Sequence, residues 1–360
     1  MDVLDAREAG DRPALLLWLE AQRRYALHPE QVPPALRLAR SPAELVRAFE
    51  REPGAERPAA RDLERLAHCG ARAVPISSAL YPERLRRLVD APPLLLVRGS
   101  PALLLVRAVA LVGARACSAY GRMVAREIAS GAARAGLLVV SGLARGIDGA
   151  AHEAALEAGG ASLAFLPCGI EQVYPPSHRR LASALEAGGA LVSEFPLGTP
   201  PRGPYFPLRN RLISALSEVV VVVEGRIASG TLVTARHAAN QGVDVLAVPG
   251  PVHSPTSAGP HQLLRDGAGI VTSAADLCAL LGLEAKPAPP AARAGSAAAA
   301  SEPSALAERA LELLRRAPLA REALAAKLGA PEAELSAALL ELELRGAACE
   351  DRDGRWVVSA

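Results

Sequence analysis

The chain has 360 residues, with 40 Lys+Arg against 38 Asp+Glu and a formal net charge of +2. That length implies two or three domains, and the near balance of charge excludes bulk basicity as a source of nucleic-acid affinity, so a polyanion must be held by a local cluster. Cys69, Cys117, Cys168, Cys278 and Cys349 are scattered without a C-x-x-C pair, which gives no zinc, redox or disulfide framework and fits a reducing compartment.

The opening MDVLDAREAGDRP carries acids and no apolar stretch behind a basic start, unlike a secretory signal, and the valine run at 219–223 is too short to span a bilayer. A soluble, cytoplasmic protein with no membrane association is expected. Lysine occurs only at Lys286 and Lys327, and the wealth of Ala, Arg and Pro matches GC-rich coding, which explains many arginines without a ligand.

Residues 1–70 read as a small helical module: Leu15, Leu16, Trp18, Leu19, then Leu36, Leu38, then Leu45, Val46 and Phe49 follow helical spacing, broken by Pro33, Pro34, Pro42 and Pro53. Short strands at 73–76 and 93–97 flank YPERLRRLVD and should join the edge of the following sheet. Over 71–285 strands alternate with helices: strands at 109–112, 137–140, 161–166, 190–193, 218–223 and 244–248, helices at 120–135, 148–158, 177–187, 209–216, 230–241 and 260–266, and a closing strand and helix near 270–281. The pattern predicts an α/β fold, a Rossmann-like doubly wound parallel sheet with right-handed crossovers. Residues 286–304, rich in Pro, Ala and Ser, read as a linker. Helices at 306–316, 321–328 and 332–345, then a hairpin over 347–358 turning at Asp353 and Gly354, outline a winged helix over 305–360.

Three strands end in loops suited to anions. VALVGARACSAYGR sets Gly113 and Arg115 between a strand and a helix start, where bare N–H groups, the helix dipole and a guanidinium attract negative charge. SGLARGID repeats the device with Gly142, Arg145 and Gly146, and EGRIASGT with Ser229, Gly230 and Thr231. A turn glycine or an ordinary N-cap explains each of these loops alone; their recurrence on one rim of a parallel sheet points to a shared chain of phosphates. Between them PPRGPYFPLRNR brackets Tyr205 and Phe206 with Arg202, Arg209 and Arg211, in a segment expected to stay irregular until a helix starts near Arg209. With aromatics at 3% of the chain, Tyr120, Tyr174, Phe195, Tyr205 and Phe206 all fall in loops or at helix starts. Bases stack on such faces whatever their identity, and arginines beside them suit a flexible single strand. Phe206 is read as exposed for stacking, with packing beneath the loop as the competing reading.

Asp148 is expected to cap its helix. His152, one turn on, lacks further ligands, so no metal is assigned and His152 should face solvent or the sheet. Ser141 and Ser193 lack the G-x-S-x-G elbow of a hydrolase.

The ordered run VGAR, SGLARGIDGAAH, YPPSHRRLA, SEFPLGTPP, FPLRNRLISALS, VVVEGRIASGTLVTARHAANQG and VPGPV resembles the DNA-processing protein A family, also called Smf, and YPERLRRLVDAPPLLLVRG resembles its opening segment. The resemblance implies an extended Rossmann fold without dinucleotide chemistry or cofactor, binding of single-stranded DNA, a homodimer, and loading of the RecA recombinase in natural transformation. It also implies DNA contacts at Gly113, Ala114 and Arg115, at Gly142, Arg145 and Gly146, at Phe206, Arg209 and Asn210, and around Ser229 to Thr231. Two positions depart from the family: Ala114 stands where Ser or Thr is usual and His261 where Asn is usual, the first removing a hydroxyl from the phosphate pocket. The N-terminal module lacks Gly-x-Gly turns of a helix-hairpin-helix.

The rival reading is an enzyme of the nucleotide phosphoribohydrolase kind, which shares this sheet and needs a catalytic Glu in P-G-G-x-G-T-x-x-E. Thr234 occupies that position, so the acid or base for glycosidic cleavage is missing and no enzymatic activity is expected. No G-x-G-x-x-G follows the first strand, against a dinucleotide enzyme. A duplex reader acting through the winged helix meets the acidic Glu332, Glu334, Glu341 and Glu343 in its third helix, which repel phosphates and favour protein contact.

Overall fold

Strands of four to six residues, nearly all Val, Leu and Ala, make the spine of the first of two compact units, Met1–Ala288 and Pro289–Ala360, in the computed structural model. The structure describes residues 3–5, 7, 11–27, 60–284, 304–317, 319–344, 347–350 and 355–358. The helical spacing at Leu36 to Phe49, the linker over 286–303 and the hairpin turn at Asp353 and Gly354 lie outside the described residues.

In chain order, the first unit holds β1 (Leu4–Asp5), α1 (Arg12–Leu27), α2 (Ala60–His68), β2 (Arg72–Pro75), α3 (Glu83–Arg86), β3 (Leu94–Gly99), β4 (Ala108–Val112), α4 (Ala119–Arg134), β5 (Leu138–Ser141) and α5 (Ile147–Glu157). It continues with β6 (Ser162–Phe165), α6 (Arg179–Gly188), β7 (Ala190–Ser193), α7 (Tyr205–Leu216), β8 (Val219–Val222), α8 (Gly230–Asn240), β9 (Asp244–Ala247), α9 (Ala258–Arg265), β10 (Gly269–Ile270) and α10 (Ala274–Leu280). One 10-stranded sheet runs in the order β1-β2-β3-β7-β6-β5-β4-β8-β9-β10. From β7 to β10 every pairing is parallel. The edge that the short strands were expected to join is antiparallel: β3 runs against β7, β2 against β3 and β1 against β2.

The chain winds from β4 outward through β5, β6 and β7, then returns to β8 on the other side of β4. The carboxyl ends of β4 and β8 therefore flank the switch point, where helices leave to opposite faces and a crevice opens. Both faces are covered, which is why the strands read as continuous apolar runs. Val109, Leu111, Val139, Val219 and Val221 pack with α4, α5 and α10. Ala110, Val112, Val140, Val220 and Val222 pack on the other side, whose core includes Leu15, Trp18 and Leu66 of α1 and α2 and Leu212 and Ile213 of α7.

One helix start differs from expectation. The segment expected to stay irregular until Arg209 is helical from Tyr205. Pro204 sits at the N-cap and Pro207 in the first turn, where N–H groups have no intrahelical acceptor, so the missing donors cost nothing.

The second unit holds α11 (Ala305–Arg316), β11 (Leu319–Ala320), α12 (Arg321–Leu328), α13 (Glu332–Leu344), β12 (Ala348–Glu350) and β13 (Arg355–Val358), with a three-stranded sheet in the order β11-β13-β12. Ala310, Leu314, Leu324, Leu335, Leu339 and Trp356 form its own core.

Candidate nucleic-acid interface

Directly over the switch point lies a cavity of about 790 Å³. Its walls come from Gly113, Ala114, Arg115 and Ala116 after β4, from Phe206, Pro207, Arg209 and Asn210 of α7, and from Gly225, Arg226, Ser229, Gly230 and Thr231 between β8 and α8. All three expected loops and the aromatic segment thus reach one hollow, the SGLARGID loop through Ala144 and Asp148.

The glycines of the SGLARGID loop act from beneath. Gly146 has φ +81°, and a Cβ there would strike the Ala114 and Arg115 carbonyl oxygens, while Ile147 N–H donates to Ala114 O at 3.3 Å. Gly142 lies against the Arg209 guanidinium, whose Nη1 donates to Gly142 O at 2.8 Å and to Phe165 O. Gly142 and Gly146 therefore shape the β4 loop and seat Arg209 without lining the cavity, and Arg145 is exposed outside it. Arg202 is also exposed outside the wall, between the lining residues Pro201 and Gly203.

Arg115 and Phe206 meet on the cavity wall. The exposed guanidinium carbon sits 4.9 Å from the Phe206 ring centroid, and Tyr174 meets the same ring edge-on at 5.4 Å. Phe206 is half-buried, so the stacking and core-plug readings combine: its ring packs on Tyr174 yet forms cavity wall. Of the other rim aromatics, Phe195 is 5% exposed and lies under Tyr205, at 4.9 Å between centroids, and Tyr120 donates its hydroxyl to Pro249 O.

Arg209 and Arg211, both expected to contact DNA, are each 3% exposed. Arg211 points away from the cavity: Nε pairs with Asp90 at 2.7 Å and Nη2 with Glu194 at 2.6 Å, so its charge is spent inside the protein. Arg209 forms the cavity floor, bound to carbonyls at the ends of β5 and β6. Its neighbour Asp148 is a clamp on the β5 loop, accepting from Gly142 N–H at 3.1 Å and Ala144 N–H at 3.4 Å. Burial raises the Asp148 carboxyl above the usual range, with Arg209 pulling it back, and burial lowers Arg209 to about 10, which leaves it charged at neutral pH. His152 faces the sheet: Nδ1 lies 2.7 Å from Ser162 Oγ and Nε2 accepts from Leu143 N–H. Burial drives its pKa down to about 3, so it is neutral.

The two helix N-termini at the switch point differ. At α4, Glu224 accepts from Ser118 N–H at 2.9 Å and from Ser118 Oγ at 2.5 Å, so the expected anion seat after Arg115 already holds a carboxylate. At α8, the first-turn residues Gly230 and Thr231 line the cavity and no side chain caps the helix. Arg226, not singled out from the sequence, stands exposed on the cavity wall, and its position inside EGRIASGT was the available signal. Among the described residues, no cluster of His, Cys, Asp or Glu could hold a metal, and no helix is long and apolar enough to cross a membrane.

Residues 72–282 match the family model of DNA recombination-mediator protein A. The chain belongs to that family. Residues 284–354 match the DprA winged helix domain. Protein Smf of Escherichia coli is 48% identical over 200 residues, which are 55% of this chain and 54% of that protein, so the match spans about half of either. DNA processing protein DprA of Bacillus subtilis is 40% identical over 209 residues, 58% of this chain and 70% of the relative. The X-ray structure of DprA from Streptococcus pneumoniae superposes with a TM-score of 0.59 at 35% identity, covering 68% of this chain and 83% of that one. DNA processing protein A from Helicobacter pylori, solved for its single-stranded DNA binding mode, gives a TM-score of 0.52 at 28% identity over 56% of this chain and 92% of its own. The family match covers every cavity-lining loop, so the site sits in the shared part of the fold.

Proposed function

We propose that this chain binds single-stranded DNA in the switch-point cavity, shields it, and hands it to a RecA recombinase during uptake and recombination of DNA, acting in the cytoplasm as a homodimer and without chemistry of its own. One observation carries the reading: Arg115 lies over the Phe206 ring at 4.9 Å on a cavity that the uncapped start of α8 also lines. A phosphate reaches the α8 N–H groups and the Arg115 and Arg226 guanidiniums, while an unstacked base has the Phe206 and Tyr174 rings beside it. The relative from Helicobacter pylori, solved for single-stranded DNA binding, supports the same ligand here.

The absence of chemistry rests on the wall itself. Asp148 is the one carboxylate among the described lining residues, and it is 6% exposed with two N–H groups bound to it. Thr234 stands where a phosphoribohydrolase carries its Glu, with its hydroxyl turned to Gly230 O at 3.5 Å. The test is a gel-shift series with single-stranded and duplex DNA of equal length beside a nucleoside-monophosphate hydrolysis assay. Preference for the single strand with no hydrolysis is expected; ribose phosphate release would replace this reading with the enzymatic one.

A further inference from the structure

The α4 start is where a dinucleotide-binding sheet seats its pyrophosphate, at the first turn after the first parallel strand. Here Glu224, 2% exposed and just past β8, lays its carboxylate across that turn. Oε2 takes the Ser118 N–H and Oε1 the Ser118 hydroxyl, which in turn accepts from Gly121 N–H at 3.0 Å. Gly121 makes the room: a Cβ at this position would collide with the Glu224 carboxyl. Neither Ser118, Gly121 nor Glu224 lines the cavity, whereas Ser229, Gly230 and Thr231 at α8 all do. An internal anion thus occupies one of the two helix ends at the switch point, and a phosphate arriving there would meet like charge, with the Ser118 and Gly121 N–H groups already bonded.

We propose that Glu224 is a specificity determinant: its carboxylate replaces the pyrophosphate of free nucleotides at the α4 N-terminus, leaving α8 as the open one of the two helix starts flanking the switch point. A single anchor with open ends suits a phosphate inside a strand. Two anchors across the crevice would suit the diphosphate of a soluble nucleotide. The inference rests on the single-strand reading of the cavity, but its test does not.

Inorganic pyrophosphate is titrated calorimetrically into the full-length chain and into Glu224→Ala and Glu224→Gln, without divalent metal. Glu224→Ala frees the Ser118 N–H and hydroxyl and the space, and its half-saturation should fall at least about tenfold below wild type. Glu224→Gln removes only the charge, keeps an acceptor for Ser118 N–H, and should show a smaller gain of the same sign; it decides the matter if the alanine variant does not fold. Folded variants that bind pyrophosphate no better than wild type overturn the proposal. Oligothymidylate binding by the wild type, measured on the same preparation, reports separately on the single-strand reading.

Discussion

At the residue scale, two arginines from different elements, the β4–α4 loop and α7, serve opposite ends. Arg115 is exposed and lies over an aromatic ring, a contact worth roughly 0.5 to 1 kcal/mol at such a site and easily exchanged for one with a base and its phosphate. Arg115→Ala should weaken oligothymidylate binding and lower the salt slope by about 0.7, one phosphate contact on a single strand, with the thermal midpoint unchanged. Phe206→Ala removes a stacking face worth roughly 1 to 3 kcal/mol per base and should weaken binding by about fivefold or more in fluorescence anisotropy. Arg211 behaves otherwise. Arg211→Ala leaves Glu194, 3% exposed, without the partner that offsets its burial, and should cost about 3 to 5 kcal/mol in urea unfolding while the folded fraction still binds DNA. The difference was not legible locally, because the Asp90 and Glu194 partners lie in other elements. A signal did exist: positions 209, 212, 213 and 216 hold helical spacing, so a helix begun at Tyr205 puts Arg209 on its buried face with Leu212 and Ile213.

Among the elements, the strands were readable because each is a bounded apolar run, and the expected 190–193 strand coincides with β7. Direction at the edge was not readable, since β2 and β3 are as apolar as the parallel strands and only their pairing against β7 shows them antiparallel. The closed start of α4 was equally hidden, because Glu224 comes from 106 residues away. Helix α5 carries a titration that can be measured. His152 has a folded pKa of about 3 against an ordinary value of 6.5, so the unfolded chain binds its proton more readily, and the stability this provides is complete above pH 6.5 and lost as pH falls toward 3. The raised Asp148 and Glu194 carboxyls take up protons in the folded state and act in the opposite sense. The comparison with His152→Asn isolates the histidine: between about pH 6 and 5 its unfolding free energy should fall less steeply than that of wild type, by about 1.4 kcal/mol per pH unit. Equal slopes would mean that His152 is not held neutral.

Over the whole molecule, function follows from topology more than from total charge. Under the proposed function, a chain with a net charge of +2 would gain polyanion affinity by setting strand ends, an uncapped helix and exposed guanidiniums around one switch point. The second unit has its own core, and the exposed Glu332, Glu334 and Glu343 make α13 a poor partner for phosphates. Removing residues 289–360 should therefore change single-strand affinity by no more than about threefold, well under 1.4 kcal/mol, as gel shifts would show. The most direct test of the central claim is photo-crosslinking of an iodouracil-substituted single strand to the full-length chain, with the modified residue identified by mass spectrometry. Adducts at Phe206 or Tyr174, abolished by excess unlabelled oligothymidylate, are predicted; adducts confined to residues 305–360 or to the β1–β2 edge of the sheet would contradict it.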